Sequence, residues 1–334
     1  MNKIICFGSA GKDIFFPTGE GKIIETSEEL ESQRKIAFEL GSKIRINDRF
    51  EALGGCAANV SVGMRRLDLE ASCISNVGSD LIGNWVIEEL RKNEVTVDFM
   101  KIEEGRMSDL SAIIVDEKSA DRVIFTNKNS SGKLNLNKEI AKNADWFFIS
   151  DVHGEWEQQV ESIVDLALSE NKKIAFNPRE VYIKENPKEI IETISKCEIV
   201  FLNKDEAIEI ISSLGKNFSK DDLNSEFFLL GELKNIGSKV VALTDGENGA
   251  WATEGEKVFF AKSLKVPAVD STGAGDAFCS GFLSAHIKEK EIFECLKWGI
   301  ANSAHEVQYY GAIEGLLREE EILEETKKVE VEEI

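Results

Sequence analysis

Apolar residues along this chain fall into two alternating patterns. Short unbroken runs, Ile4–Phe7, Trp146–Ile149, Ile174–Phe176, Ile199–Leu202 and Val240–Leu243, have the length and make-up of buried strands. Elsewhere apolar residues recur every three or four positions: Ala57, Val60, Met64 and Leu67; Ile82, Trp85, Val86 and Leu90; Val160, Ile163, Val164 and Ala167. That spacing lines one face of a helix. Strand and helix in alternation is the signature of βαβ units. The predicted fold class is therefore α/β, a mostly parallel central sheet with helices on both faces.

Two stretches break the rhythm. Residues Thr18 to Asn47 are highly charged and contain a helical-looking patch, Ser27 to Phe38. Residues Val97 to Lys128 carry alternating, strand-like segments, Leu110–Val115 and Arg122–Phe125. Antiparallel strands from these two excursions are expected to form a small β lid over the main sheet, since active-site covers commonly arise this way. An edge extension of the main sheet is the simpler alternative. The chain then reads as one domain, 1–334, with a discontinuous lid from about 12–50 and 97–128. The acidic and apolar alternation from Glu319 to Glu332 predicts a peripheral helix or a frayed tail.

Composition narrows the function. With 42% hydrophobic residues there is material for a large core. No run of about 18 apolar residues occurs, and the start of the chain lacks the order of a signal peptide. No membrane association and a cytoplasmic location are the expectation. The net charge of -21, with no basic stretch, argues against a nucleic-acid partner. It does not exclude an anionic substrate, because local N–H groups and a metal ion outweigh a distant field. Six scattered cysteines and three histidines lack zinc-site spacing, so a bound metal should be a hard ion held by oxygen.

The sharpest segment is Asp270-Ser271-Thr272-Gly273-Ala274-Gly275-Asp276-Ala277-Phe278. A strand-like run precedes it, and Phe278, Phe282 and Ala285 share a helix face after it. Small residues at a helix start let backbone N–H groups point into a cleft, where the helix N-terminus adds positive potential. Gly273, Ala274 and Gly275 can thus form an anion hole for a transferring phosphoryl group. Asp276 lies beside it in the first turn. Its reference pKa of about 3.9 makes it too weak to strip an alcohol beforehand, yet able to orient a hydroxyl and take its proton late. A structural reading makes the glycines packing residues and Asp276 a helix-start acid; taken alone, the segment fits both.

Other segments converge with it. Gly54-Gly55-Cys56-Ala57-Ala58-Asn59 opens a helix, where the glycines allow close backbone approach and Asn59 can donate to and accept from a hydroxyl. Asn203 and Glu206 follow one buried run, and Thr244, Gly246 and Gly249 follow another. Gly8, Gly78, Ser150, Asn177 and Thr244 all fall at carboxyl ends of predicted strands, the rim where open α/β sheets bind ligands. There is no G-x-x-x-x-G-K-[ST] loop, no correctly spaced G-x-G-x-x-G after the first strand, no G-x-S-x-G and no H-E-x-x-H.

These residues resemble the ribokinase-like (PfkB) sugar and nucleoside kinases, from Ile4 to about Leu317. Asp270 to Phe278 resembles the family's C-terminal signature, and Gly54 to Val60 with Arg66 to Gly83 its N-terminal one. The resemblance implies Asp276 as catalytic base, the Gly273–Gly275 backbone as anion hole, and ATP with Mg2+ as cofactors; it leaves monovalent-cation dependence open. Asn203 and Glu206 match an N-x-x-E motif that helps place magnesium and phosphates, so Glu206 is the implied metal residue. Thr244, Gly246 and Gly249 match the turn beside the nucleotide, and Asn302 occupies a region that often touches adenine. Asp13, Gly54, Gly55 and Asn59 would hold acceptor hydroxyls. Departures exist: the stretch Ile174 to Arg179 lacks a usual aspartate, leaving the part played by Arg179 open, and the segment from Asp13 to Gly54 is long.

The expected function is transfer of the ATP γ-phosphoryl group to a primary hydroxyl of a sugar. A nucleoside acceptor is the nearest alternative, with Phe15 or Phe16 as a candidate aromatic clamp. A non-catalytic ligand-binding member of the fold and a vitamin-type kinase rank below it. A homodimer through the lid is left open.

Overall fold

The computed structural model describes residues 3–25, 34–46, 48–130, 132–142 and 144–334. The chain opens with β1 (Lys3–Phe7), β2 (Gly11–Thr18), β3 (Lys22–Glu25), β4 (Arg34–Ala37) and β5 (Phe50–Gly54). Then come α1 (Cys56–Arg66), β6 (Glu70–Ile74), β7 (Asn76–Gly78), α2 (Leu81–Lys92), β8 (Lys101–Glu103), β9 (Leu110–Asp116) and β10 (Arg122–Asn127). The middle is α3 (Lys138–Lys142), β11 (Trp146–Ser150), α4 (Trp156–Ser169), β12 (Lys173–Asn177), α5 (Glu180–Glu185), α6 (Pro187–Ser195) and β13 (Ile199–Asn203). There follow α7 (Lys204–Ser212), α8 (Lys220–Asn224), α9 (Glu226–Ile236), β14 (Val240–Thr244), β15 (Ala250–Glu254) and β16 (Lys257–Ala261). The chain closes with α10 (Ala274–Ile287), α11 (Ile292–Glu306), α12 (Glu319–Glu325) and β17 (Val331–Glu333).

The large sheet has nine strands in the order β17-β16-β15-β14-β13-β12-β11-β1-β6. From β14 to β6 every pairing is parallel, and β15, β16 and β17 extend that edge in antiparallel fashion. This is the α/β, mostly parallel architecture that the run-and-period pattern predicts. Alternate residues of each strand feed opposite faces. Ile4, Cys6 and Phe148 join a core packed by α1, α2, α10 and α11. Ile5, Phe7, Phe147 and Ile149 join a second core under α4, α6, α7 and α9. Each fully buried large side chain contributes about 1.5–3 kcal/mol, so two cores on one sheet make its strand ends a rigid platform.

The excursions form a separate four-stranded sheet, β10-β9-β2-β5. Its two halves join through β2 and β9, which pair in parallel, not antiparallel as expected. Phe15, Ala52, Ile113 and Val115 form its own small core.

Three sequence expectations change. Within the patch Ser27 to Phe38, residues 27–33 lie outside the described residues, and Arg34–Ala37 is strand, paired with β3 so that Ile23 faces Ile36. Cross-strand packing of that pair prevails over the local helical period. The acidic tail forms α12 and then β17, which adds an edge to the main sheet by pairing with β16. Gly78 ends β7, which pairs only with β8 and lies outside the large sheet.

Gly8 ends β1 at φ +148°, and its N–H donates to Ile74 C=O at 3.2 Å. A Cβ there would lie 1.7 Å from the Ser150 carbonyl oxygen at the end of the neighbouring β11. Gly8→Ala should therefore lower the unfolding free energy by more than about 2 kcal/mol in urea titration; an unchanged midpoint would contradict this placement.

Candidate active site

The segment before α10 is shaped by a buried aspartate. Asp270 Oδ1 accepts from Thr272 N–H at 2.9 Å and Thr272 Oγ1–H at 2.7 Å, and Oδ2 accepts from Gly311 N–H at 3.3 Å. This turn delivers the chain to Gly273, the N-cap of α10, in the left-handed region at φ 98°. Glycine is needed twice over there, because a Cβ would also lie 2.3 Å from Ala312 Cβ. Ala277 N–H donates to Gly273 C=O at 2.8 Å and starts the helix. Ala274 N–H makes a long 3.4 Å bond to Ser271 C=O, and the first-turn N–H groups behind it have no intrahelical acceptor. Gly273, Ala274, Gly275 and Asp276 all line a cleft of about 430 Å³.

Asn203 and Glu206 line the same cleft. They form the capping box of α7: Asn203 Oδ1 accepts from Glu206 N–H at 2.8 Å, and Glu206 Oε2 accepts from Asn203 N–H at 2.9 Å. Burial pushes the Glu206 carboxyl up to about 7. Thr244, Gly246 and Gly249 line the wall from the end of β14 and the following turn. Oxygen donors of this kind suit a hard cation that keeps its waters and bridges to phosphate.

Asn302 does not belong to this wall. It is fully buried; its Nδ2 donates to Ala277 C=O at 2.9 Å and to Ser280 Oγ at 3.1 Å, and its Oδ1 accepts from Leu317 N–H at 2.9 Å. Its amide is spent on tying α11 to α10, and Phe278, Ile300 and Ser303 line the cleft instead.

The proposed acceptor residues sit on the other side of Asp276. Asn59 Nδ2 donates to Asp276 Oδ2 at 2.8 Å, linking α1 to α10. Asp13 on β2 is buried, and that burial raises its carboxyl to about 6 against a hydrogen bond from Ser111. Gly54 lies against it; a Cβ there would be 2.2 Å from Asp13 Oδ2. Gly55 is the N-cap of α1. None of these four lines the cleft itself, so Asp276 is where the two groups of residues meet. Burial raises its carboxyl above 3.8, opposed by Asn59, Arg179 and Cys56.

Arg122 and Asp151 were not singled out from sequence, and the part played by Arg179 was left open. Arg122 and Arg179 both line the cleft, and Arg122 of β10 reaches across to donate to Ser271 Oγ. Arg179 Nε lies 3.8 Å from Asp151 Oδ1. Asp151 also accepts from Ser9 Oγ–H at 2.8 Å and Lys128 Nζ at 2.8 Å. Burial works against its charge, but His153, Arg179 and Lys128 outweigh it and hold Asp151 well below the usual range. The His153 ring bridges Asp109 at 3.0 Å and Asp151 at 3.4 Å, and these carboxylates overcome burial to raise its pKa. Position at strand ends pointed to Ser150 and Asn177, and the same argument extended by one or two residues reaches Asp151 and Arg179. For Arg122, on β10, no sequence signal separates it from other surface arginines.

A site that gathers backbone N–H groups and two arginines beside a carboxylate is built for moving a phosphoryl group. The comparisons agree. The model of the pfkB family carbohydrate kinases matches residues 31–319, and the chain belongs to that family. An uncharacterized sugar kinase of Archaeoglobus fulgidus is 28% identical over 260 residues, 77% of this chain and 99% of the relative. The ATP-dependent 6-phosphofructokinase of Thermoanaerobacterium thermosaccharolyticum is 27% identical over 294 residues, 83% and 86% of the two chains. The nucleoside kinase of Methanocaldococcus jannaschii, of the ribokinase family, superposes with a TM-score of 0.76 at 21% identity, covering 98% of this chain and 99% of that one. The chain is thus a sugar or nucleoside kinase of ribokinase fold, a phosphotransferase with an alcohol group as acceptor. Among the described residues no helix is long and apolar enough to cross a membrane.

Glu306, at the end of α11, is fully buried, and neither carboxylate oxygen has a hydrogen-bond partner among the described residues. It lies against the turn that starts α10, where a Gly273 Cβ would be 2.9 Å from its Oε1. Burial raises its pKa well above the ordinary 4.5. The folded state then keeps a proton that the unfolded chain loses, so the contribution is full below about pH 4.5 and is lost as pH rises toward the folded pKa. Glu306→Gln removes that loss. Its melting temperature relative to the parent should rise between pH 5 and pH 8; a fall at pH 8 would mean an ionised carboxylate held by a cation.

Proposed function

We propose that the chain transfers the γ-phosphoryl group of ATP to a primary hydroxyl of a sugar, with Asp276 as the base. The 2.8 Å bond from Asn59 to Asp276 carries this reading, because it fixes the carboxylate where the acceptor residues meet the cleft. ATP would lie along the wall of Asn203, Thr244, Gly246 and Gly249, with its terminal phosphate on the Gly273–Gly275 turn. Arg122 and Arg179 would offset charge on the phosphoryl oxygens as the bond to the leaving phosphate loosens. Mg2+, held through Glu206 and Asn203, would neutralise the phosphates. Asp276 orients the acceptor hydroxyl and takes its proton as the new O–P bond forms.

The acceptor would rest on Asp13, Gly54, Gly55 and Asn59. Of the two candidate aromatic clamps, Phe15 does not serve a nucleoside, whereas Phe16 is half-buried and keeps that alternative acceptor open. The Phe15 ring is wholly buried between Ala52, Ile113 and Val115, with Tyr310 against it, and is not free to clamp a base. The small sheet that carries Asp13 and Arg122 would act as a lid that excludes water when substrates are bound.

ATP consumption with magnesium should be assayed against neutral sugars, sugar phosphates, keto-deoxy acids and nucleosides. One sugar should stand out, and Asp276→Asn should still bind nucleotide while losing at least about 10³-fold in turnover. Near-normal turnover in that variant would sink the base assignment, and a nucleoside standing out would move the acceptor to the other class.

A further inference from the structure

The segment that follows α11 is packed against the turn that starts α10. Val307 C=O accepts from Val269 N–H at 2.8 Å and from Asp270 N–H at 3.2 Å. Gly311 N–H donates to Asp270 Oδ2 at 3.3 Å, while the other oxygen of that carboxylate holds Thr272. Ala312 sits so close that a Cβ on Gly273 would lie 2.3 Å from the alanine Cβ.

The same segment carries Tyr310, and Tyr310 meets the small sheet. Its ring stacks on Phe50 of β5, with centroids 4.4 Å apart and planes at 16°, and its centroid lies 6.4 Å from that of Phe15 on β2. Phe15 and Phe50 are cross-strand partners, as are Asp13 and Ala52. Side chains two positions apart on a strand share a face, so Asp13 and Phe15 belong to one face of β2. Gly311 approaches that face closely, since a Cβ there would lie 2.6 Å from Ala52 Cβ. The strands that carry Asp13 and Gly54 thus reach the start of α10 through two consecutive residues, Tyr310 and Gly311. A third strand of the sheet, β10, reaches it directly, where Arg122 donates to Ser271 Oγ.

We propose that Tyr310 is a positioning residue for phosphoryl transfer: acting through Gly311 and Asp270, it ties the sheet that carries Asp13 to the turn on which the terminal phosphate of ATP rests. The turn then holds its N–H groups in place only while the sheet is docked. This rests on the reading of the Gly273–Gly275 turn as the seat of that phosphate. Neither Tyr310 nor Phe50 lines the cleft, so an effect of either on the nucleotide passes through the packing. The contact is one of ring faces, which a phenylalanine at position 310 preserves.

The test is nucleotide binding by titration calorimetry on the full chain with magnesium, comparing ADP with a non-hydrolysable ATP analogue. The ratio of the two dissociation constants reads the terminal phosphate. Tyr310→Ala and Phe50→Ala should each lower that ratio at least about threefold, with ADP affinity unchanged. The double variant should lower it no further than the larger single change, because both substitutions remove one contact. Tyr310→Phe should keep the parent ratio. Phe50 is 39% exposed, so its alanine variant removes the stack at little cost to the fold. Gly275→Ala tests the seat itself: its Cβ would meet no atom within 4 Å, so it crowds a phosphate on the turn without disturbing the fold, and it should lower the ratio. A lowered ratio in Gly275→Ala beside a parent ratio in Phe50→Ala would overturn the inference and leave the seat standing. Equal loss of ADP and analogue in the alanine variants, additive losses in the double variant, or the same fall in Tyr310→Phe would also overturn it. A ratio that Gly275→Ala does not change would remove the seat, and this inference with it.

Discussion

The arrangement around Asp276 turns on a half-buried carboxylate that desolvation and nearby charge pull in opposite directions. Desolvation favours the proton on Asp276, and an aspartic acid already protonated could not take one from an alcohol. The fold opposes that cost from three directions. The first turn of α10 supplies helix-end potential, α1 supplies Asn59, and the segment after β12 supplies Arg179. The bond from Asn59 requires that α1 and α10 lie close together. Gly63 on α1 permits it: a Cβ there would sit 2.4 Å from Ser280 Oγ on α10. Asn302 braces α10 from the far side through Ala277 and Ser280, which is why its amide is spent inside the protein.

The same cleft resolves a conflict in the composition. A chain with net charge -21 is a poor host for a polyphosphate in bulk terms. Locally the picture differs. Burial raises Asp13 to about 6 and Glu206 to about 7, and pushes Glu306 well above its ordinary value, so these buried acids hold their negative charge less firmly than exposed carboxylates do. Asp151 is the exception, kept ionised by Lys128, His153 and Arg179. The positive groups on the cleft wall include Arg122, from β10 of the small sheet, and Arg179, at the start of α5 after β12 of the large one. Net charge governs long-range steering, whereas binding at the site answers to these few groups.

Much of this was legible in the sequence for physical reasons. The unbroken runs Trp146–Ile149 and Ile199–Leu202 can only be buried on two faces, which dictates helices on both sides. Gly273 was legible because a left-handed N-cap admits little else. Asn302 was misread because its position near the cleft says nothing of the direction its amide takes. The patch at Arg34–Ala37 was misread because helical periodicity in a short charged segment yields to a strand partner far enough away to escape a local window. Arg122 depends on a long-range approach between separate segments, which no local pattern encodes.

The most direct measurement is a crystal structure with magnesium, a non-hydrolysable ATP analogue and the acceptor bound together. The account predicts the terminal phosphate on the N–H groups of the Gly273–Asp276 turn. It also predicts the acceptor hydroxyl within hydrogen-bond distance of the Asp276 carboxylate, in line with the leaving phosphate. A terminal phosphate seated elsewhere in the cleft, or an acceptor hydroxyl facing a group other than Asp276, would contradict it.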